Sequence, residues 1–163
     1  ISVTSDPGKL LVRVDLARSS VLGSVWDVLS GVHRAVLAPH FQGQEVQFFA
    51  DRDCVEDFKG AFDRLAQDGF VKGYQFDEET LPVSVVGDCL PADGSIMTRS
   101  VEALDREHVP VRMAHGAALS VVLGVPKTHA KEALEAVGLG SSEPKVRNNP
   151  YAAENRRVEI GRQ

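Results

Sequence analysis

Two short apolar runs, EVQFFA and LPVSVVG, flank the segment VEDFKGAFDRLAQDGF, and this alternation limits the possible folds more than any other feature of the chain. In the middle segment Val55, Phe58, Phe62 and Leu65 recur at i, i+3, i+7 and i+10. That spacing puts them on one stripe of a helix, which Gly69 closes. The first run ends at the acidic turn DRD and the second at Gly87, so both read as strands. Strands alternating with amphipathic helices call for a sheet covered by helices.

The other elements follow the same periodicities. In LLVRVDL, Val12, Val14 and Leu16 share one face while Arg13 and Asp15 share the other, as a half-buried strand requires. Ser19 and Ser20 precede Val21, Leu22, Val25, Trp26 and Leu29 at helical spacing, and the helix is expected to run on through VHRAVLAPHF towards Pro39. The QGQ triplet reads as a joint and QFDEET as a polar connection. Ile96, Met97, Val101 and Leu104 predict a further helix. Residues 111–123 mix both periods, so either a helix started by Pro110 or two strands is open there. KTHAKEALEAVGLGSSEP leads to a glycine-rich turn, and NRRVEI alternates as a final strand should. From residue 45 the order is strand, helix, strand, helix, strand, strand: an α+β fold with a mixed sheet and helices on one side.

Composition narrows the function. A length of 163 residues suits one domain with a modest extension, and 43% hydrophobic residues allow a packed core. A formal charge of -5 argues against nucleic acid as a partner, since phosphate binding needs a concentrated basic face. No apolar run is long enough for a transmembrane helix. The start at Ile1 reads as a trimmed product. The five histidines lack metal-ligand spacing, so no metal and no cofactor is expected. No nucleophile stands at a motif-like distance from a base and no glycine loop could cradle a phosphate, so the chain does not read as an enzyme.

Four stretches of the C-terminal part carry a resemblance: VQFFADRDCVEDFKGAFDRLAQ, VSVVGDCLPADG, GVPKTHAKEALEAVGLGSSEP and NRRVEI. Together they resemble the OmpA-like, peptidoglycan-associated domain family, which includes the flagellar stator protein MotB. The resemblance implies an OmpA-like β-α-β-α-β-β domain over 44–163 with an N-terminal strand-helix extension over 1–43. It implies a periplasmic, outer-membrane-associated scaffold of the cell envelope, with peptidoglycan and neighbouring envelope proteins as partners. Trp26 and Phe41 of the extension are candidates for the protein contact.

In that family an aspartate and an arginine hold the diaminopimelate group, an anion for the ammonium and a planar fork for the carboxylate. The usual aspartate position is Leu90 here, so Asp88 or Asp93 would substitute, with Arg112 one position out of register. Asn155 and Arg156 complete the peptidoglycan-binding set, although tying neighbouring loops is their more natural role. Cys54 and Cys89 each follow a strand of this domain, so an oxidising periplasm would allow a disulfide between them.

A second resemblance spans the whole chain. LLVRVDL, the Val21–Leu29 helix, EVQFFA and the Val55–Leu65 helix form one set. VSVVGD, SIMTRSVEALDREH, VPVRMAHG, ALSVVLGV and THAKEALEAV form another. Each set is similar to an ACT module, and the pair resembles the tandem regulatory modules of aspartate kinases, which bind free amino acids at a module interface. This alternative implies a cytoplasmic regulator. The Asp-x-Pro-Gly turn usual in such modules is replaced by Ala17-Arg18-Ser19-Ser20, and GLGSSEP and NRRVEI stay unexplained. The OmpA-like reading accounts for both strings and is the leading expectation.

Overall fold

The computed structural model describes residues 2–31, 36–87, 94–142 and 159–160. The chain forms two compact units, Pro7–Glu78 and Ile1–Asp6 together with Glu79–Gln163. The first unit is therefore inserted in sequence between the opening residues of the second and its remainder.

The inserted unit contains β2 (Lys9–Leu16), α1 (Leu22–Gly31), β3 (Leu37–Gln42), β4 (Glu45–Asp51), α2 (Val55–Gln67) and β5 (Val71–Asp77); β1 (Ser2–Ser5) precedes it in the other unit. Its sheet runs β3-β4-β2-β5, with antiparallel neighbours throughout. Alternation in KLLVRVDL sends Leu10, Val12, Val14 and Leu16 into a core with Val21, Val25 and Leu29 of the α1 region and Phe58 and Phe62 of α2.

Glu56 and Asp57 sit in the first turn of α2 and Arg64 in its last, as the helix dipole favours. The helix closes with a Schellman motif. Gly69, at φ +74, donates to Ala66 O at 3.0 Å, and Phe70 N–H donates to Leu65 O at 2.9 Å.

The second unit holds β1, β6 (Thr80–Val86), α3 (Ser95–Arg106), β7 (Met113–Ala117), β8 (Ser120–Pro126), α4 (Ala130–Ser142) and β9 (Glu159–Ile160). Its sheet runs β7-β8-β6-β1-β9. Pairing is antiparallel except between β1 and β9, where Ser2 faces Glu159 and Val3 faces Ile160. Apart from β9, its sheet order β7-β8-β6-β1 matches β3-β4-β2-β5 of the inserted unit, and β6-α3-β7-β8-α4 follows the same β-α-β-β-α order as β2-α1-β3-β4-α2. Here β1, which comes from before the insertion, fills the place that β5 fills in the other sheet. Val3, Val83, Val85, Leu104, Leu123 and Val137 share its core.

The α+β class holds, and the final strand does join the sheet of Val83–Val86. The sheet itself differs from the expectation. EVQFFA is β4 of the inserted unit, and LPVSVVG is β6 of the other, so the strands expected to open one OmpA-like sheet belong to two. The QGQ joint is the turn between β3 and β4, which pair antiparallel across it. The α1 helix ends at Gly31, and residues 37–42 form a strand in place of a helix breaking at Pro39. QFD lies within β5. Residues 113–126 take the two-strand option, and GLGSS continues α4 where a turn was expected.

Candidate functional site

The end of β2 is pinned on both sides. Leu16 N–H donates to Gln44 O at 2.7 Å, and Ala17 N–H to Phe70 O at 2.9 Å. Arg18 then stays extended, at φ -159 and ψ 155, and one 3-10 turn over Ser19–Val21 feeds α1. Val21, Val25 and Leu29 recur on the buried side of α1. Trp26 is out of that phase, one turn beyond Leu22, and emerges 47% exposed.

Opposite runs β3, an edge strand. Pro39 is tolerated there because an edge needs fewer ladder donors. The register slips between Leu37 and His40, with Ala38 at φ 52, so this strand carries an irregularity that re-aims the residues after it. Phe41, paired with Val46 of β4, is 41% exposed.

Between these elements lies a groove of about 510 Å³, lined by Ser19, Ser20, Leu22, Gly23, Trp26, Pro39, His40, Phe41 and Val46. That volume is within the range of about 300–1,000 Å³ usual for small-molecule sites. Two half-exposed aromatics sharing one groove are a patch and not scattered surface residues. The polar side chains of the lining are the hydroxyls of Ser19 and Ser20, in the 3-10 turn that leads into α1, and the ring of His40 on β3; the Leu22 N–H that opens α1 already donates to Ser19 O. Arg18 Nε donates to Ser20 Oγ at 3.1 Å. As an edge strand, β3 also offers backbone groups that its sheet does not use. The arrangement suits a small zwitterion with an apolar body.

A smaller recess of about 240 Å³ is lined by Asp15, Leu16, Gln42, Gln44, Glu45 and Lys72. Asp15 and Glu45 stand directly opposite on β2 and β4, Lys72 Nζ donates to Gln44 Oε1 at 3.3 Å, and Gln47 Nε2 donates to Glu45 Oε1.

Of the residues expected to bind peptidoglycan, Arg112 precedes β7, with its Nη1 2.9 Å from Thr80 Oγ1 and its backbone N–H donating to Gly124 O at 2.8 Å. It holds the start of β6 against the β7–β8 hairpin. Asp88, Asp93, Asn155 and Arg156 lie outside the described residues, as does Cys89 and hence the Cys54–Cys89 pairing. Cys54 is buried in the core of the inserted unit. Among the described residues no group of three or more His, Cys, Asp or Glu could hold a metal ion. The sequence reading picked out Trp26 and Phe41 but not the groove they share. The available signal was Trp26 falling out of phase with Val21, Val25 and Leu29.

No family model and no curated protein matches the sequence. Solved structures do. The chain is similar to a crystal structure of aspartokinase alpha and beta subunits at 11% identity and a TM-score of 0.74, covering 86% of this chain and 97% of that one. It is similar to the ligand-free regulatory subunit of aspartate kinase from Thermus thermophilus at 15% identity and 0.73, with the same coverage. Escherichia coli aspartokinase III in complex with lysine and aspartate matches at 13% identity and 0.59, over 86% of this chain and 32% of that one.

These likenesses establish a shared fold. They overturn the envelope reading: the scaffold function, the peptidoglycan and envelope-protein partners and the outer-membrane setting rested on an OmpA-like sheet beginning at EVQFFA, and that strand lies elsewhere. The tandem-module alternative is the one the fold supports. Several of the similar structures are regulatory subunits or domains, in agreement with the expectation that the chain is no enzyme. No helix among the described residues is long and apolar enough to cross a membrane.

Proposed function

We propose that this chain is a non-catalytic regulatory domain of the aspartate-kinase type, which takes a free amino acid in the groove between α1 and β3 and relays its occupancy to a kinase. The observation that carries this reading is the doubled β-α-β-β-α order, shared over 97% of the length of a regulatory subunit. The groove supplies the site, with the Ser19 and Ser20 hydroxyls for the ligand's polar groups and Leu22, Trp26, Phe41 and Val46 for an apolar body. A kinase partner would place the chain in the cytoplasm.

The test is thermal denaturation of the purified chain with each of the common amino acids. A ligand at about 100 times its Kd stabilises the folded state by about 2.7 kcal/mol. At least one amino acid should raise the melting temperature, and Trp26→Ala should abolish the rise. A full set of amino acids leaving the melting temperature unchanged would refute the reading.

A further inference from the structure

We infer that the groove selects an amino acid with an uncharged, apolar side chain and rejects lysine. The inference rests on the regulatory reading above and concerns which ligand that site takes. The nine lining residues include no Asp, Glu, Lys or Arg. Past the two serines, the wall is Leu22, Trp26, Pro39, Phe41 and Val46, with Gly23 and His40 between.

A lysine laid along this wall would bring its ε-ammonium to a surface without a carboxylate. In this half-exposed groove an ammonium gives up part of its water and gains no counter-ion, which is unfavourable. Trp26 and Phe41 could compensate through their ring faces, but for half-exposed rings that attraction is a factor of about two to five in affinity. Desolvation therefore wins. The acidic pair Asp15 and Glu45 offers no rescue, because it lines the other recess. Asp27 follows Trp26 in sequence but does not line the groove. An apolar side chain has the opposite balance, since every methylene set against Trp26, Phe41 and Leu22 leaves water for a matching surface.

Gly23 makes the inference reversible. A Cβ built there meets no atom within 4 Å, so a side chain can start from this position without a clash at its first carbon. Gly23→Glu would add the missing carboxylate to the lining.

The experiment is a thermal-shift titration of the unaltered chain and of Gly23→Glu with L-phenylalanine, L-leucine, L-methionine and L-lysine. The unaltered chain should bind at least one of the three apolar amino acids roughly tenfold or more tightly than lysine. In Gly23→Glu that preference should shrink or invert. Lysine stabilising the unaltered chain as well as the best apolar amino acid would overturn the selectivity and leave the regulatory reading standing. Selectivity unchanged in a well-folded Gly23→Glu would show that this groove does not contact the side chain, and would also overturn it. If none of the four binds but an amino acid with a polar or charged side chain does, the apolar assignment is wrong; if no amino acid binds, the regulatory reading falls with it.

Discussion

The phenol of Tyr74, on β5, donates a hydrogen bond of 2.5 Å to Oδ1 of Asp63, on α2. That bond, helped by burial and by the charges of Asp63 and Glu56, pushes the phenol up from 10.0 to about 12. An unfolded tyrosine ionises near pH 10. Between about 10 and 12 the unfolded chain therefore loses this proton while the folded chain keeps it. The contribution is complete below pH 10 and fades as pH rises towards 12. Tyr74→Phe should lose about 0.5 kcal/mol at neutral pH, small because the pair is exposed. Its stability should also fall less steeply than that of the unaltered chain over that alkaline window. Melting curves of both proteins across the window check this, and parallel slopes would contradict it.

His108 is predicted to be a position where glycine improves the fold. It closes α3 as Gly69 closes α2: its N–H donates to Asp105 O at 3.0 Å, and Val109 N–H donates to Leu104 O at 2.9 Å. Its φ of 56 is left-handed, which costs a residue with a Cβ about 1–2 kcal/mol. Glycine's extra freedom when unfolded offsets part of that. His108→Gly should stabilise by about 0.5–1 kcal/mol, read as a rise of about 1–4 °C in melting temperature.

Phe62 stands at the centre of an aromatic row, 5.8 Å from Phe58 and 5.5 Å from Tyr74 between ring centroids, and is fully buried. Phe62→Ala should cost about 3–5 kcal/mol by urea denaturation. A loss below about 1 kcal/mol would mean that the α2 face is not packed as described.

Arg112→Ala should act on stability alone. It removes a charged donor from the hydroxyl of Thr80, which is fully buried, and should cost about 1–2 kcal/mol. Arg112→Lys should keep part of that. Amino-acid binding in the α1–β3 groove should be unchanged in both, as measured by ligand-induced thermal shift.

Residues with strong local periodicity were legible in advance. LLVRVDL and VEDFKGAFDRLAQ each carry one face of a core, and their patterns give β2 and α2 directly. The parse of the second module into VSVVGD, SIMTRSVEALDREH, VPVRMAHG, ALSVVLGV and THAKEALEAV matches β6 to α4 in order. The strands that were missed have weak signals for physical reasons. LAPHFQ has a proline and an irregular register, which only an edge strand tolerates. VKGYQFD is interrupted by Gly73, beside the register shift at Asp15 and Leu16. Ser2–Ser5 is too short to show a period. Without those three strands neither module could be closed from the sequence, and the distinctive tail NRRVEI drew the reading towards a single sheet. Of the candidate site, Trp26 and Phe41 stood out as aromatics. Their shared groove depends on the pairing of β3 with β4, and no local pattern encodes that.

The placement of β1 sets the timing of assembly. During synthesis this strand leaves the ribosome before the whole inserted module, which can fold at once from neighbouring segments. Val3 must wait for its partner Val85, some eighty positions downstream, so the second module closes late and through a long loop. It also means that no single cut separates two intact halves: a nick anywhere between residues 7 and 78 and removal of what precedes it leaves the downstream sheet without a strand from its middle.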